Sequence, residues 1–97
     1  MPPYTKLQSN NGTIAIAGTA VQISVSSIPC GQLTITANEG NAGEIVYGGS
    51  NVVAAAIGRI GVPLVQGQSV TLLIDDLSKV WFDTVNSGDG FSYSWLS

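Results

Sequence analysis

The sequence predicts an all-β fold, a small antiparallel β-sandwich or jelly-roll-like domain of about eight short strands. Apolar and polar residues alternate in short runs, which is the pattern of strands that are buried on one face only. Clusters of Gly, Asn, Asp and Pro separate these runs about every 8–12 residues, as in β-sandwiches. No segment has the length and periodicity of an ordinary helix. The 97 residues therefore predict one domain with a single thin core.

The clearest strands lie in the C-terminal third of the chain. Residues 70–74 form an apolar run, and residues 79–82 begin the next strand. The Gly-Asp-Gly sequence at 88–90 predicts a turn into a last strand over residues 91–95.

The N-terminal part is predicted to be an arm with a short first strand, residues 1–12, ahead of one β-sandwich domain over residues 13–97. Residues 4–8 form that strand. Residues 9–12 are a strong turn signal, because an Asn-Gly pair adopts positive φ readily.

Two alternating segments follow, and each is predicted to be a strand. They cover residues 13–17 and 19–26 and are separated by a glycine. Their inward-facing residues are Ile14 and Ile16 in the first and Val21, Ile23 and Val25 in the second.

The middle of the chain predicts two more strands and an ambiguous segment. Residues 32–37 form a strand with Leu33 and Ile35 inward, and residues 44–47 form another. Residues 52–59 begin with helix formers, but glycines at both ends favour a short strand that runs into a loop.

Composition limits the classes of partner. Charged residues are 9% of the chain, against roughly 25% in ordinary globular proteins. A net charge of −3 with three scattered cations predicts no nucleic-acid binding, which needs clustered Lys and Arg. No apolar run reaches the roughly 18 residues of a membrane span, so we expect no membrane partner. The N-terminus lacks signal-peptide features, which predicts synthesis in a cytoplasm.

Catalytic equipment is sparse. The chain has no histidine, which excludes Ser-His-Asp and Cys-His machinery. Cys30 is expected to pack as a small buried hydrophobe rather than react. Asp75 and Asp76 are expected to cap backbone amides in a turn, and a calcium site formed with Asp83 or Asp89 is the weaker alternative. We therefore predict no enzymatic activity, no cofactor and no metal.

The aromatic residues are predicted to serve packing first. Phe91, Tyr93 and Trp95 alternate with serines and so share one face, which favours a core-lining strand over a sugar-binding platform. Trp81 and Phe82 are adjacent and so point to opposite faces. One of them is expected to face outward as an interface anchor.

Six segments in order carry a resemblance to a known group of proteins: GTAVQI (18–23), PCGQLTI (29–35), GEIVYGG (43–49), GVPL (61–64), GQSVTL (67–72) and DDLSKVW (75–81). Together, over residues 13–96, they resemble small β-sandwich proteins encoded among the structural genes of tailed bacteriophages. That group includes head-decoration (cement) proteins, head fibres and tail-associated domains. The segment 54–60 looks longer and more apolar than the usual loop and is a candidate attachment element.

The resemblance implies a virion structural protein. The preferred prediction is a capsid decoration protein on the virion surface that binds the major capsid protein and stabilises the phage head. By analogy with decoration proteins it implies a homotrimer. The alternative is a carbohydrate- or receptor-binding β-module of a phage tail or fibre.

Because the chain has few charges, we expect attachment to rest on apolar and backbone contacts. The predicted contact elements are the N-terminal arm, residues 1–7, and a Gly-flanked apolar loop, residues 54–62. The arm contains two prolines and loses little conformational entropy on docking. The loop offers isoleucines where a monomer favours polar residues. An arginine between those isoleucines adds a hydrogen-bonding anchor. The predicted partner-binding residues are Pro2, Pro3, Tyr4, Ile57, Arg59, Ile60 and Trp81.

Overall fold

The computed structural model describes residues 6–96 and confirms the all-β prediction. Eight strands form two four-stranded antiparallel sheets, and one 3-10 turn over Leu77–Lys79 is the helical element of the described residues. The strands are β1 (Leu7–Thr13), β2 (Val21–Gln22), β3 (Gln32–Ala37), β4 (Ile45–Gly48), β5 (Val62–Leu64), β6 (Ser69–Leu72), β7 (Trp81–Thr84) and β8 (Gly90–Leu96).

The strands pair in a nested order. Strand β1 pairs with β8, β2 with β7, β3 with β6 and β4 with β5. The first sheet has the order β1-β8-β3-β6 and the second β2-β7-β4-β5. Since four nested strand pairs wrapped into two sheets define a jelly roll, the chain is a jelly roll rather than another kind of sandwich.

The core lies between the two sheets. Strand β3 alternates between half-buried and buried residues along its whole length, as predicted. The rings of Phe82 and Phe91 stack across the core with centroids 3.9 Å apart. Phe91, Tyr93 and Trp95 are all buried, which confirms the prediction of a core-lining aromatic strand.

The predicted turn over residues 9–12 is wrong. These residues lie inside β1, and each has a partner in β8, from Leu7 opposite Leu96 to Thr13 opposite Gly90. Pairing with β8 therefore outweighs the local preference of Asn-Gly for a turn.

The predicted strand over residues 13–17 is also wrong. Ile14 is buried, and its N–H donates to the Asp89 carbonyl at 2.9 Å, which continues the β1 pairing by one residue. The chain then turns at Gly18, whose φ of +88° lies in the left-handed region. Ile16 consequently points away from the core and is exposed.

The predicted strand over residues 19–26 is reduced to Val21–Gln22. Beyond it, the Ser24 hydroxyl donates to the Ser26 carbonyl at 2.7 Å, and the Ser26 N–H donates back to the same hydroxyl at 3.3 Å. This local serine turn competes with strand pairing. Val25, predicted inward, is 89% exposed.

Other boundaries shift less. The predicted strand start at Lys79 is wrong, because Leu77–Lys79 forms the 3-10 turn and β7 begins at Trp81. Residues 52–59 form a loop rather than a strand, closed by an isolated bridge between Val53 and Ile60.

The division into residues 1–12 and 13–97 stays a prediction. Residues 1–5 lie outside the described part of the chain. Residues 7–12 belong to β1, which ends at Thr13 and is paired with β8 along its full length.

Candidate functional site

The predicted contact loop, residues 54–62, overlaps β5 at Val62. Its part before β5, residues 54–60, projects from the second sheet on a closed base; we call this part the apolar loop. Val53 and Ile60 exchange two backbone hydrogen bonds, each 2.9 Å long. Val52 and Ala54 are buried against Val46 and fix the start of the loop in a small second core. The loop therefore has a defined shape and does not depend on a partner for its base.

The tip of the apolar loop presents uncovered apolar surface. Ile57 is 94% exposed and Ile60 is 45% exposed. Gly58 follows the tip with φ +76°, a conformation that glycine adopts without strain. Contiguous apolar patches mark contact surfaces, whereas single exposed apolar residues are ordinary, so contact through Ile57 and Ile60 stays a prediction.

Arg59 holds the apolar loop from within. Its Nε and Nη2 donate to the Ala54 carbonyl at 3.0 and 2.9 Å, and its Nη1 lies 3.5 Å from Glu44 Oε1. These guanidinium nitrogens therefore have partners within the same chain. A contact of Arg59 with a partner stays a prediction.

A groove of about 440 Å³ runs beside the apolar loop. Its walls come from the loop and from the turn after β1, and its floor is the end of β7. The lining residues are Ala17, Gly18, Val53, Ala55, Ala56, Asp83, Thr84 and Val85. Most of them are small or apolar, so the groove suits an apolar side chain better than a charged ligand.

The Asp83 carboxylate ties the two walls of the groove together. Its Oδ1 accepts from the Gly18 and Thr84 N–H groups at 2.9 and 2.8 Å, and its Oδ2 accepts from the Ala54 N–H at 2.9 Å. The side chain is almost fully buried, and its oxygens are occupied by backbone donors. Asp83 is thus a structural acceptor rather than an acid–base group.

Asp89 is likewise a buried acceptor of backbone hydrogen bonds. Its two oxygens accept from the Ala42 and Gly43 N–H groups at 2.8 and 3.0 Å. Within residues 6–96, no three His, Cys, Asp or Glu residues lie close enough to hold a metal ion. The calcium alternative therefore has no support from the placement of Asp83 and Asp89.

Trp81 and Phe82 point to opposite sides of β7, as expected. Phe82 is fully buried in the main core. Trp81 is half-buried and packs on the second core formed by Val46, Val52 and Ala54. Most of Trp81 is thus engaged within its own chain, and its part in an interface stays a prediction. The other predicted contact residues, Pro2, Pro3 and Tyr4, lie outside the described residues.

The prediction that Asp75 and Asp76 cap backbone amides is confirmed for Asp76 and wrong for Asp75. Asp76 caps the 3-10 turn, and hydrogen bonds from Ser27 and Ser78 hold the pKa of its carboxyl below the usual range. Asp75 contacts Lys79 Nζ at 2.7 Å, and this exposed contact lowers the pKa of Asp75 and raises that of Lys79.

Cys30 is buried and its thiol is poorly suited to catalysis. Burial raises the thiol pKa, and the nearby Asp76 and Asp75 charges raise it further. Its Sγ donates to the Ile74 carbonyl at 3.2 Å. Since the thiolate is the nucleophile, a raised pKa argues against a reactive cysteine.

Strand β1 extends the predicted first strand, residues 4–8, to Thr13; residues 4 and 5 lie outside the described part of the chain. It is a seven-residue edge strand with six exposed residues, and only Gly12 is half-buried. Beyond Gln8, its residues carry no alternation of apolar and polar side chains that could have revealed it.

No protein-family model matches the sequence, and no curated protein matches it significantly. One solved structure, from work entitled "Bacillus endospore appendages form a novel family of disulfide-linked pili", has a similar fold. The alignment covers 94% of this chain and 83% of that chain, with 14% identity and a TM-score of 0.51. At this identity the likeness shows a shared small β fold. Among the described residues, no helix is long and apolar enough to cross a bilayer.

Proposed function

We propose that this chain is a non-enzymatic structural protein, and more specifically a capsid decoration protein of a tailed phage. It is made in the host cytoplasm, binds the major capsid protein on the virion surface and stabilises the head. The copies form a homo-oligomer, for which the phage resemblance implies a trimer. The observation that carries the proposal is the apolar loop, which holds Ile57 in solvent on a hydrogen-bonded base.

Two further observations support a structural role. The acidic side chains of the core, Asp83 and Asp89, accept backbone hydrogen bonds and leave no free acid–base pair there. The solved structure with the similar fold is described as a pilus, which is also a structural assembly.

The disulfide linkage named for that pilus does not fit the cysteine content of this chain. This sequence contains one cysteine, and Cys30 is buried. A chain linked covalently to neighbours on both sides needs at least two accessible thiols. We therefore propose non-covalent attachment through apolar contacts.

The carbohydrate-binding alternative lacks an exposed platform among the described residues. Phe91, Tyr93 and Trp95 face the core, and Trp81 packs on its own sheet. Sugar-binding sites expose aromatic faces to the ligand.

The direct experiment is co-sedimentation of the purified protein with undecorated phage particles at low and high salt. We expect saturable binding that survives high salt, because apolar contacts are screened little by ions. Absence of binding, or complete release by moderate salt, contradicts the proposal.

A further inference from the structure

Within residues 6–96, no strand pairs with the backbone groups on the outer side of β1. At the two ends of β3, the Gly31 N–H donates to the Leu96 carbonyl and the Asn38 N–H donates to the Gly90 carbonyl, so the even-numbered residues of β8 direct their backbone groups toward β3. The odd-numbered residues of β8 therefore face β1, where their partners are Gln8, Asn10 and Gly12. The residues left to direct their N–H and C=O groups to the open side are Leu7, Ser9, Asn11 and Thr13.

The hydrogen bond at Asn11 agrees with this assignment. Its N–H donates to Oδ1 of Asn10 at 2.8 Å, so a side chain takes a donor on the open side. The neighbouring strand β8 does not reach that group.

Strand β1 lacks the usual protection of an edge. Its sequence, LQSNNGT, contains no charge and no proline, and its register with β8 is continuous without a bulge. The other edge strands are short: β2 has two residues, β5 has three including Pro63, and β6 has four. Among the edges in residues 6–96, β1 is the long unprotected one.

We propose that β1 pairs antiparallel with β1 of a second copy about a two-fold axis at Asn10. In this register Ser9 faces Asn11 of the second copy, and Leu7 faces Thr13 of the second copy. All four outward-directed residues then exchange backbone hydrogen bonds, and the two four-stranded sheets become one continuous sheet. The inference does not rest on the proposed function, and it replaces the trimer that the phage resemblance implies with a two-fold dimer.

The side chains fit a second copy in this register. Gln8 lies opposite Gly12 of the second copy, where the Phe91 ring occupies the place of a side chain and offers an apolar contact to the Gln8 methylene groups. The two Asn10 amides face each other and can hydrogen-bond across the axis. Ser9, which already contacts the Ser94 hydroxyl at 2.9 Å, gains a polar neighbour in Asn11 of the second copy. No charges oppose each other, since β1 has none.

The first test is the mass of the protein in solution, measured by light scattering after gel filtration over a range of concentrations. The 10.0 kDa chain is expected to approach a mass of about 20 kDa as concentration rises. Asn11→Pro removes an outward N–H without removing a bond to β8, so this variant is expected to be folded and monomeric. Asn11→Thr retains the N–H and is expected to behave as the parent. A monomeric or trimeric parent, or a dimeric Asn11→Pro variant, overturns the proposal.

The second test fixes the register by cross-linking. Residues at position 10 form a non-hydrogen-bonded pair about 4.5 Å apart at Cα, within disulfide range. Asn10→Cys is therefore expected to give a covalent dimer on mild oxidation. In Gln8→Cys the two thiols lie about four residues apart along the strands, roughly 13 Å, and no cross-link is expected. Equal cross-linking of the two variants, or none with Asn10→Cys, contradicts the register.

Discussion

Gly12 in β1 lies directly beneath the ring of Phe91 in β8. A Cβ atom at residue 12 would stand 2.6 Å from Phe91 Cζ and 3.1 Å from its Cε1. The same ring stacks on Phe82 of the opposite sheet. The glycine that resembles a turn residue in the sequence is thus required by packing inside a strand.

Replacement of Gly12 by alanine is expected to lower the stability of the protein. The added methyl must displace a ring that is confined by Phe82, and overpacking of this kind costs about 1–3 kcal/mol. Urea unfolding followed by circular dichroism measures the change. Gly40→Ala is the matched control, because a Cβ there meets no atom within 4 Å. Equal stability of the Gly12→Ala variant and the parent would show that this packing is not needed.

Asp83→Asn is expected to destabilise the walls of the groove. The new amide places an NH2 group where one carboxylate oxygen now accepts hydrogen bonds. Either the Ala54 N–H or the N–H groups of Gly18 and Thr84 then lose their acceptor. Leaving such a buried donor unsatisfied costs about 1–3 kcal/mol. Thermal unfolding measures the loss, and Asp75→Asn is the control because Asp75 is exposed. The prediction fails if the two variants unfold at the same temperature.

The pH dependence of stability is expected to carry a contribution from Asp76. Its pKa is lowered in the folded protein, chiefly by hydrogen bonds from Ser27 and Ser78. A lowered folded pKa stabilises the fold above the unfolded value of about 3.9, and the contribution disappears as the pH falls through the folded pKa. The stability difference between the parent and Asp76→Ala should therefore be largest near neutral pH and shrink below about pH 4. A difference that grows on acidification would refute this assignment.

Cys30 is expected to react slowly with a thiol reagent in the folded protein. Burial and the neighbouring carboxylates keep the thiol protonated, and the thiolate is the reactive form. Labelling in urea provides the reference rate. Native labelling as fast as that in urea would show that the thiol is accessible.

Strands with two neighbours were predictable from their alternation. In β3 and β8 every second side chain enters the core, so the pattern of Leu33 and Ile35 or of Phe91 and Tyr93 reflects burial directly. Such central strands display the period-2 signal most clearly.

Edge elements were not predictable in the same way. Strand β1 has no buried apolar face, so its residues beyond Gln8 carry no pattern that marks them as a strand. Strand β2 shortens to Val21–Gln22 because the Ser24 hydroxyl turns the chain. The apolar loop was found by its composition, whereas the groove beside it depends on Asp83, which joins segments distant in sequence.

The measurement that tests the central claim most directly compares Ile57→Ser with the parent in binding to undecorated phage particles. Burying an isoleucine side chain contributes about 2 kcal/mol, so the variant is expected to bind roughly thirty-fold more weakly at both low and high salt. Val25→Ser is the matched control, because Val25 is also almost fully exposed but lies outside the apolar loop. The account predicts parental binding for Val25→Ser and an unchanged β spectrum for both variants. Binding of Ile57→Ser equal to that of the parent would contradict attachment through the apolar loop.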